Sequence, residues 1–272
     1  MNRRPWPLFL LLLAGCPPRV DVRSAPLPDA TALLAEVDAI DARVAALQSQ
    51  AKAHLDARDK KGNVQMFVAA AAPASVHLEV LDFFGKPSGI LVSDGKRFVM
   101  LASDTGTWYR GAATAENVSR VLPVSLPPEE LVAMLLGRAP RLPDPAPTLL
   151  VDSAENVFRV TLRAAGRTQE LWIDPSHRRA VRSQVDGPGG YTLTFASFED
   201  VRGTPFPRAI SFAGAGKVAL QYTDLRLGEQ PDTALFTPEP PPGVPVEQIA
   251  PRTRGTPEEP GSPARPGSGS VP

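Results

Sequence analysis

Val76-His77-Leu78-Glu79-Val80 alternates apolar and polar residues one for one. A period of two marks a half-buried β-strand, because successive side chains leave opposite faces. The rhythm recurs along the chain. Ile90 and Val92 carry it, then Phe98 and Met100. After a break, Phe158, Val160 and Leu162 alternate with Arg159 and Thr161. Leu171 and Ile173 follow, then Tyr191, Leu193 and Phe195, then Ile210 and Phe212, then Val218, Leu220 and Tyr222. Turn signals separate the runs: Gly85-Lys86-Pro87, Asp94-Gly95, Ala165-Gly166, Gly187-Pro188-Gly189-Gly190 and Gly214-Ala215-Gly216. The reading is about eleven short strands, an antiparallel meander with one apolar face.

Helical periods flank and interrupt this meander. From Asp29 to Arg58, apolar residues recur at Leu33, Val37, Ile40, Val44, Leu47 and Leu55, the spacing of one helical face. Asp29 suits the N-cap. Between Gly111 and Pro147, residues 115–122 fit one or two helical turns. Pro127-Pro128-Glu129-Glu130 then opens a helix that runs through Leu136, with acids in its first turn and Gly137 at its end. A sheet of about eleven strands is too wide to stay flat and curls toward a barrel. The expected fold class is α+β: a curved, half-open antiparallel barrel, covered on its concave side by the N-terminal helix and the short central helices.

The chain has 272 residues, and 29 Lys+Arg balance 29 Asp+Glu. No basic footprint for nucleic acid follows from that balance. A single cysteine excludes an intramolecular disulfide. His54, His77 and His177 do not pair with one another or with the cysteine at ligand spacing, so no metal site is expected. No Gly-x-Ser-x-Gly elbow, phosphate-binding glycine loop or His-Glu-x-x-His is present. Asp82, Glu199, Asp200 and Asp224 read as solvated strand ends. No catalytic residue is assigned, and the chain is not read as an enzyme.

The N-terminus fixes a compartment. Arg3 and Arg4 precede an apolar run from Leu8 to Leu13, and Leu12-Leu13-Ala14-Gly15-Cys16 closes it. The run is far shorter than the about 20 residues that cross a bilayer. It has the layout of a secretory leader and resembles the lipobox of bacterial lipoproteins. That resemblance implies cleavage between Gly15 and Cys16, with a diacylglyceryl thioether and an N-acyl chain on Cys16 and no other cofactor. Several acyl chains hold firmly to a bilayer. Pro17 stands where an aspartate would imply inner-membrane retention in enteric bacteria, so the resemblance implies an outer-membrane, periplasm-facing anchor. The expected organisation is a leader over 1–15, a lipidated cysteine and tether over 16–28, one domain over 29–250 and a disordered Pro/Gly-rich tail over 251–272. Extended, the tether spans roughly 40 Å. Val244, Val246 and Ile249 are placed to dock before the tail begins.

A second resemblance lies inside the domain. Leu122-Pro123-Val124-Ser125-Leu126, through Leu135-Leu136-Gly137-Arg138-Ala139-Pro140, is similar to the central helices of the LolA/LolB-type lipoprotein carriers and receptors. The strand from Val76 to Leu81, followed by Gly85, resembles their Leu-x-Leu…Gly hairpin. The resemblance implies a monomer that binds the acyl chains of lipoproteins or other amphiphiles, receives them from a periplasmic carrier and delivers them to the outer membrane.

The apolar face supplies the candidate lining: Val76, Leu78, Val80, Ile90, Val92, Phe98 and Met100 from the first half. Phe158, Val160, Leu162, Leu171, Tyr191, Leu193, Phe195, Phe212, Leu220 and Tyr222 come from the second. Either a helix or an acyl chain can fill the space they enclose. A filled core points to the alternative function, a structural or adaptor lipoprotein that binds a protein or cell-wall partner. Phe83 and Phe84 abut the Gly85-Lys86-Pro87 turn, and adjacent strand residues cannot both face inward, so one of them should project. By resemblance to the LolB-type receptors, it serves as a membrane-insertion loop. Trp108 and Tyr109 either gate the mouth or cap the core.

Overall fold

The computed structural model describes residues 20–24, 26–57, 61–102, 105–119 and 122–249. Gly15, Cys16, the leader and the tail over 251–272 lie outside the described residues. The first element is helix α1 (Ala30–Asp41), followed by strands β1 (Ala46–Asp56), β2 (Lys61–Ala71), β3 (Ser75–Leu81), β4 (Pro87–Ser93), β5 (Arg97–Ala102) and β6 (Thr107–Ala112). Two short helices interrupt, α2 (Ala115–Val118) and α3 (Pro128–Leu135). The second run holds β7 (Thr148–Asp152), β8 (Val157–Ala164), β9 (Arg167–Ile173), β10 (Ala180–Asp186), β11 (Tyr191–Val201), β12 (Thr204–Ala213) and β13 (Lys217–Leu227). A 3-10 helix, Thr233–Phe236, leads to β14 (Val246–Ile249).

All of these strands form one 14-stranded sheet, in the order β14-β6-β5-β4-β3-β2-β1-β13-β12-β11-β10-β9-β8-β7. Two antiparallel meanders join where β1 pairs with β13. The edges, β14 and β7, do not meet, so the curved sheet stays unclosed. The register keeps one face continuous: Val160, Leu171, Ser183, Leu193, Phe212, Val218 and Leu55 stand opposite one another strand by strand. Directly opposed residues share a face. That face is concave and apolar.

Among the described residues the count is 14 strands rather than about eleven, and the largest difference is in the segment expected as the N-terminal helix. The helix expected over residues 29–58 ends at Asp41, and its second half is β1. Asp29 does cap α1, accepting from the backbone N–H of Thr31 and Ala32. Residues 46–56 carry a second period that their small side chains conceal. Leu47, Ser49, Ala51 and Ala53 are buried, while Gln48, Gln50, Lys52 and His54 are not. Pairing along both flanks with β2 and β13 outweighs the helical preference of an alanine-rich run.

Three apolar clusters fix the layers. The main one packs α2, α3 and the residues between them onto the concave centre of the sheet. In the second, Leu33, Leu34 and Val37 of α1 cover Phe158, Val160, Leu162, Leu171 and Ile173. The third lies on the outer face, where Phe236 covers Ala46, Ala69 and Ala71. His77 secures that return of the chain: Nδ1 lies 2.6 Å from the Leu235 carbonyl and Nε2 2.6 Å from Glu79 Oε1. Val246 and Ile249 dock as expected, as part of β14 parallel to β6.

Candidate functional site

The concave face and its helical cover form the candidate site. The floor is built from Leu55, Met66, Leu78, Ile210, Phe212, Val218 and Leu220 on β1, β2, β3, β12 and β13. The cover contributes Leu122, Val124, Leu131, Met134 and Leu135. Between them lies an apolar cavity of about 40 Å³. Ligand pockets usually run to about 300–1,000 Å³, so the site is closed and the lid itself occupies the concave space.

The lid is amphipathic for local reasons. Pro128 starts α3, Glu129 and Glu130 sit in its first turn, and Gly137 leaves it at φ +72°. Leu131, Val132, Leu135 and Leu136 face the sheet and are fully or nearly fully buried. Val124 and Leu126, between α2 and α3, are buried equally well. Each such side chain contributes about 1.5–3 kcal/mol when removed from water.

The ends of the lid differ in chemistry. Tyr222, whose phenol pKa burial drives far up, donates to the Leu135 carbonyl at 2.8 Å. The fully buried Arg179 donates from Nη2 to the Gly137 carbonyl at 2.6 Å. Gln169, also fully buried, donates to Pro140 O at 2.6 Å and accepts from Leu142 N–H at 2.8 Å. Gln169 further donates to Ser183 Oγ at 2.8 Å. Arg138 donates to the Val44 carbonyl, and Arg141 pairs with Asp38. Asp41 lies 3.2 Å from Arg179 Nε. Burial outweighs the attraction of Arg179, Arg138 and Arg141 and pushes the Asp41 carboxyl up to about 6. The same burial lowers Arg179 from its ordinary value.

Most predicted lining residues meet on this face. Val76, Leu78, Phe98, Met100, Tyr191, Leu193, Phe195, Phe212, Leu220 and Tyr222 all join the main cluster. Leu78, Phe212 and Leu220 reach the cavity itself. Val80 shares their face, since it stands opposite Met66, but it is only half-buried. Ile90 and Val92 do not belong. They stand opposite Glu79 and His77 on the outer face, and the inward residue is Leu91, opposite Leu78. Ile90-Leu91-Val92 is apolar on both faces, so alternation alone gives no phase. Phe158 and Val160 share the concave face but lie beneath α1, in the second cluster.

The hairpin tip projects more fully than expected. Phe83 and Phe84 are both exposed, at 97% and 82%, and pack edge to face at 5.5 Å. Asp82 shapes this tip by accepting from the N–H groups of Phe84 and Lys86, each at 2.8 Å. Tyr109 packs against the main core, while Trp108 stands opposite Val246 of β14. Met66, Leu55, Ile210 and the lid leucines were not among the predicted lining. The alternation of Gly62, Val64 and Met66 with Asn63 and Gln65, and the four-residue spacing of Leu131 and Leu135, are the signals that point to them. Among the described residues, no group of three His, Cys, Asp or Glu is placed to hold a metal ion.

A curved, unclosed antiparallel sheet with helices on its concave face defines the LolA-like fold, and this chain has that fold. A LolA superfamily protein from Nitrosomonas europaea superposes with a TM-score of 0.52 at 17% identity, covering 78% of this chain and 98% of that one. A domain assigned to outer membrane lipoprotein sorting, from Vibrio parahaemolyticus, gives 0.50 at 13% identity, covering 76% and 97%. A DUF1329 family protein from Desulfovibrio piger gives 0.51 at 11% identity, covering 76% and 95%. No protein-family model matches the sequence, and no curated protein does. At these identities the likeness establishes the fold alone.

Proposed function

We propose that the protein is an envelope lipoprotein, anchored through Cys16 on the periplasmic side of the outer membrane, that takes acyl chains on its concave face. The chains belong to lipoproteins or similar amphiphiles, received from a periplasmic carrier and passed to the bilayer without catalysis. The observation that carries this reading is the pairing of two exposed phenylalanines with an apolar interior at the same end of the molecule. Phe83 and Phe84 crown the β3–β4 hairpin, and the cavity beside Leu55, Phe212 and Val218 lies at the tips of the neighbouring hairpins. Two adjacent exposed aromatics form an apolar patch of the kind that marks an interaction site, and they suit insertion into a bilayer.

The full chain carrying Cys16→Ser, purified without detergent, should bind a fluorescent fatty acid saturably and release it to palmitate. Phe84→Glu should slow transfer of the probe to liposomes several-fold while thermal unfolding stays unchanged. Absence of saturable binding sinks this reading. The small size of the cavity favours a second one, in which the lid is a permanent core and the protein is an adaptor for a protein or cell-wall partner. Probe binding to the folded chain is the result that excludes it.

A further inference from the structure

The two edges of the sheet are finished differently. β14 is four residues long, carries Glu247 and follows a proline-rich run that ends at Pro245. Short length, charge and proline all blunt an edge against further pairing. β7 has none of these devices within Thr148-Leu149-Leu150-Val151. Among the described residues it pairs with β8 alone, so the N–H and C=O groups along its free side have no strand partner. Leu150 stands on the outer face opposite Arg159, and Leu149 and Val151 stand on the concave face opposite Val160 and Phe158. Leu150 and Val151 remain 50% and 36% exposed, so neither face of this edge is covered.

The sequence of β7 matches its own reverse. A strand meets its copy in an antiparallel ladder about a twofold axis, and directly opposed residues share a face. The axis therefore passes through a residue, not between two. Centred on Leu149, the ladder would oppose Thr148 to Leu150 and bring Pro147, which has no N–H, opposite Val151. Centred on Val151, it would oppose Asp152 to Leu150. Centred on Leu150, it opposes Leu150 to its own copy on the outer face and Leu149 to Val151 on the concave face. Thr148 then opposes Asp152, whose carboxylate can accept from the hydroxyl. Arg159 Nη1 lies 3.7 Å from Asp152 Oδ2, so that charge is already countered within each copy. In this register alone every pair joins like with like.

We propose that β7 is a dimerisation strand: a second copy of this chain pairs with it antiparallel, centred on Leu150, and the two sheets run on into one another. The ladder supplies about four to six backbone hydrogen bonds. It also covers Leu149, Leu150 and Val151 of both copies, extending the apolar cluster against which Leu149 already packs. A single five-residue ladder is small for an interface, so the pairing is reversible and depends on concentration.

Short thiol bridging reads the register. Each variant is made in the full chain with Cys16→Ser, so the new thiol is the only one. Thr148 and Leu150 are both exposed. Leu150→Cys should bridge to its own copy through a linker no longer than the about 4.5–5.5 Å between opposed residues. Thr148→Cys alone should bridge at least tenfold less, because its copy lies four residues along the strand, about 13 Å away. Thr148→Cys mixed with Asp152→Cys should bridge as Leu150→Cys does. Leu150→Lys sets like charges on the axis and should raise the dimer dissociation constant at least tenfold in sedimentation equilibrium. A chain that stays monomeric at every concentration overturns the proposal, as does equal bridging from Thr148→Cys and Leu150→Cys. A dimer unaffected by Leu150→Lys uses another surface and overturns it as well. If Leu150→Lys does not fold, the bridging pattern decides alone.

Discussion

Asp41→Asn tests whether burial or ion pairing governs the polar anchor beneath the lid. Asp41 ends α1 with three arginines near it, so a salt-bridge argument predicts a depressed carboxyl. The geometry says otherwise. Arg179 Nε is 3.2 Å away, yet neither Nε nor Nη1 of Arg179 has a hydrogen-bond partner among the described residues. Burial therefore dominates, and the carboxyl rises from 3.8 to about 6. A group whose folded pKa is raised holds its proton where the unfolded chain has lost it. Its stabilising contribution is complete below about pH 4 and is lost as pH rises through 6. At 1.36 kcal/mol per unit, the full loss is about 3 kcal/mol.

Asparagine cannot ionise, so Asp41→Asn should abolish that loss. Urea unfolding at intervals between pH 4 and pH 8 measures it. The stability of the variant relative to the native chain should climb by about 3 kcal/mol between pH 4 and 7, then level off. Any cost of altering the contact with Arg179 appears as a constant offset and leaves the slope alone. Asp94 and Asp144, whose carboxyls are lowered by backbone hydrogen bonds, push stability the opposite way but are common to both chains. A pH-independent difference, or a native chain that gains on the variant as pH rises, refutes the dominance of burial.

Two further outcomes test the anchor and the face assignment. Gln169→Leu strips partners from Pro140 O, Leu142 N–H and Ser183 Oγ, and at about 1–3 kcal/mol per orphaned buried group should cost several kcal/mol in urea unfolding. A loss below 1 kcal/mol contradicts the role given to it. Leu91→Ala should cost about 2–5 kcal/mol and Ile90→Ala clearly less, since only Leu91 faces the packed interior; the reverse order in thermal or urea unfolding would restore Ile90 to the lining.

The sheet was legible where one face is apolar and the other polar. Val76-His77-Leu78 and Phe158-Arg159-Val160 declare both strand and phase. Ile90-Leu91-Val92 declares a strand without a phase, because Val92 and Val99 pair on the outer face as Leu91 and Met100 do on the inner one. β1 declares neither, since Ala51 and Ala53 are as good in a helix as in a strand, and only its long-range partners decide. The lid was legible as amphipathic helix, with Pro128 and Gly137 as its limits. The exposure of Phe83 together with Phe84 was only half legible. Strand alternation forces one of them outward, whereas the position of the turn, with Asp82 accepting from the backbone N–H groups of Phe84 and Lys86, releases both.

The polar anchor was not legible at all, and the reason bears on function. Asp41, Arg138, Gln169 and Arg179 come from four separate stretches of the chain, and none is unusual in its local run. Their chemistry appears only when folding brings them under one helix end. A core meant solely to be stable gains little from such groups, since burying charge costs more than hydrophobic packing of the same volume. What the cluster does provide is asymmetry. Apolar contacts can be exchanged for other apolar contacts, including a ligand's, with little loss. Buried hydrogen bonds cannot, because each broken one leaves an unsatisfied group. The cover of this sheet carries both kinds: apolar contacts along Val124, Leu126 and Leu131, and buried hydrogen bonds from Arg179 and Gln169 over residues 137–142.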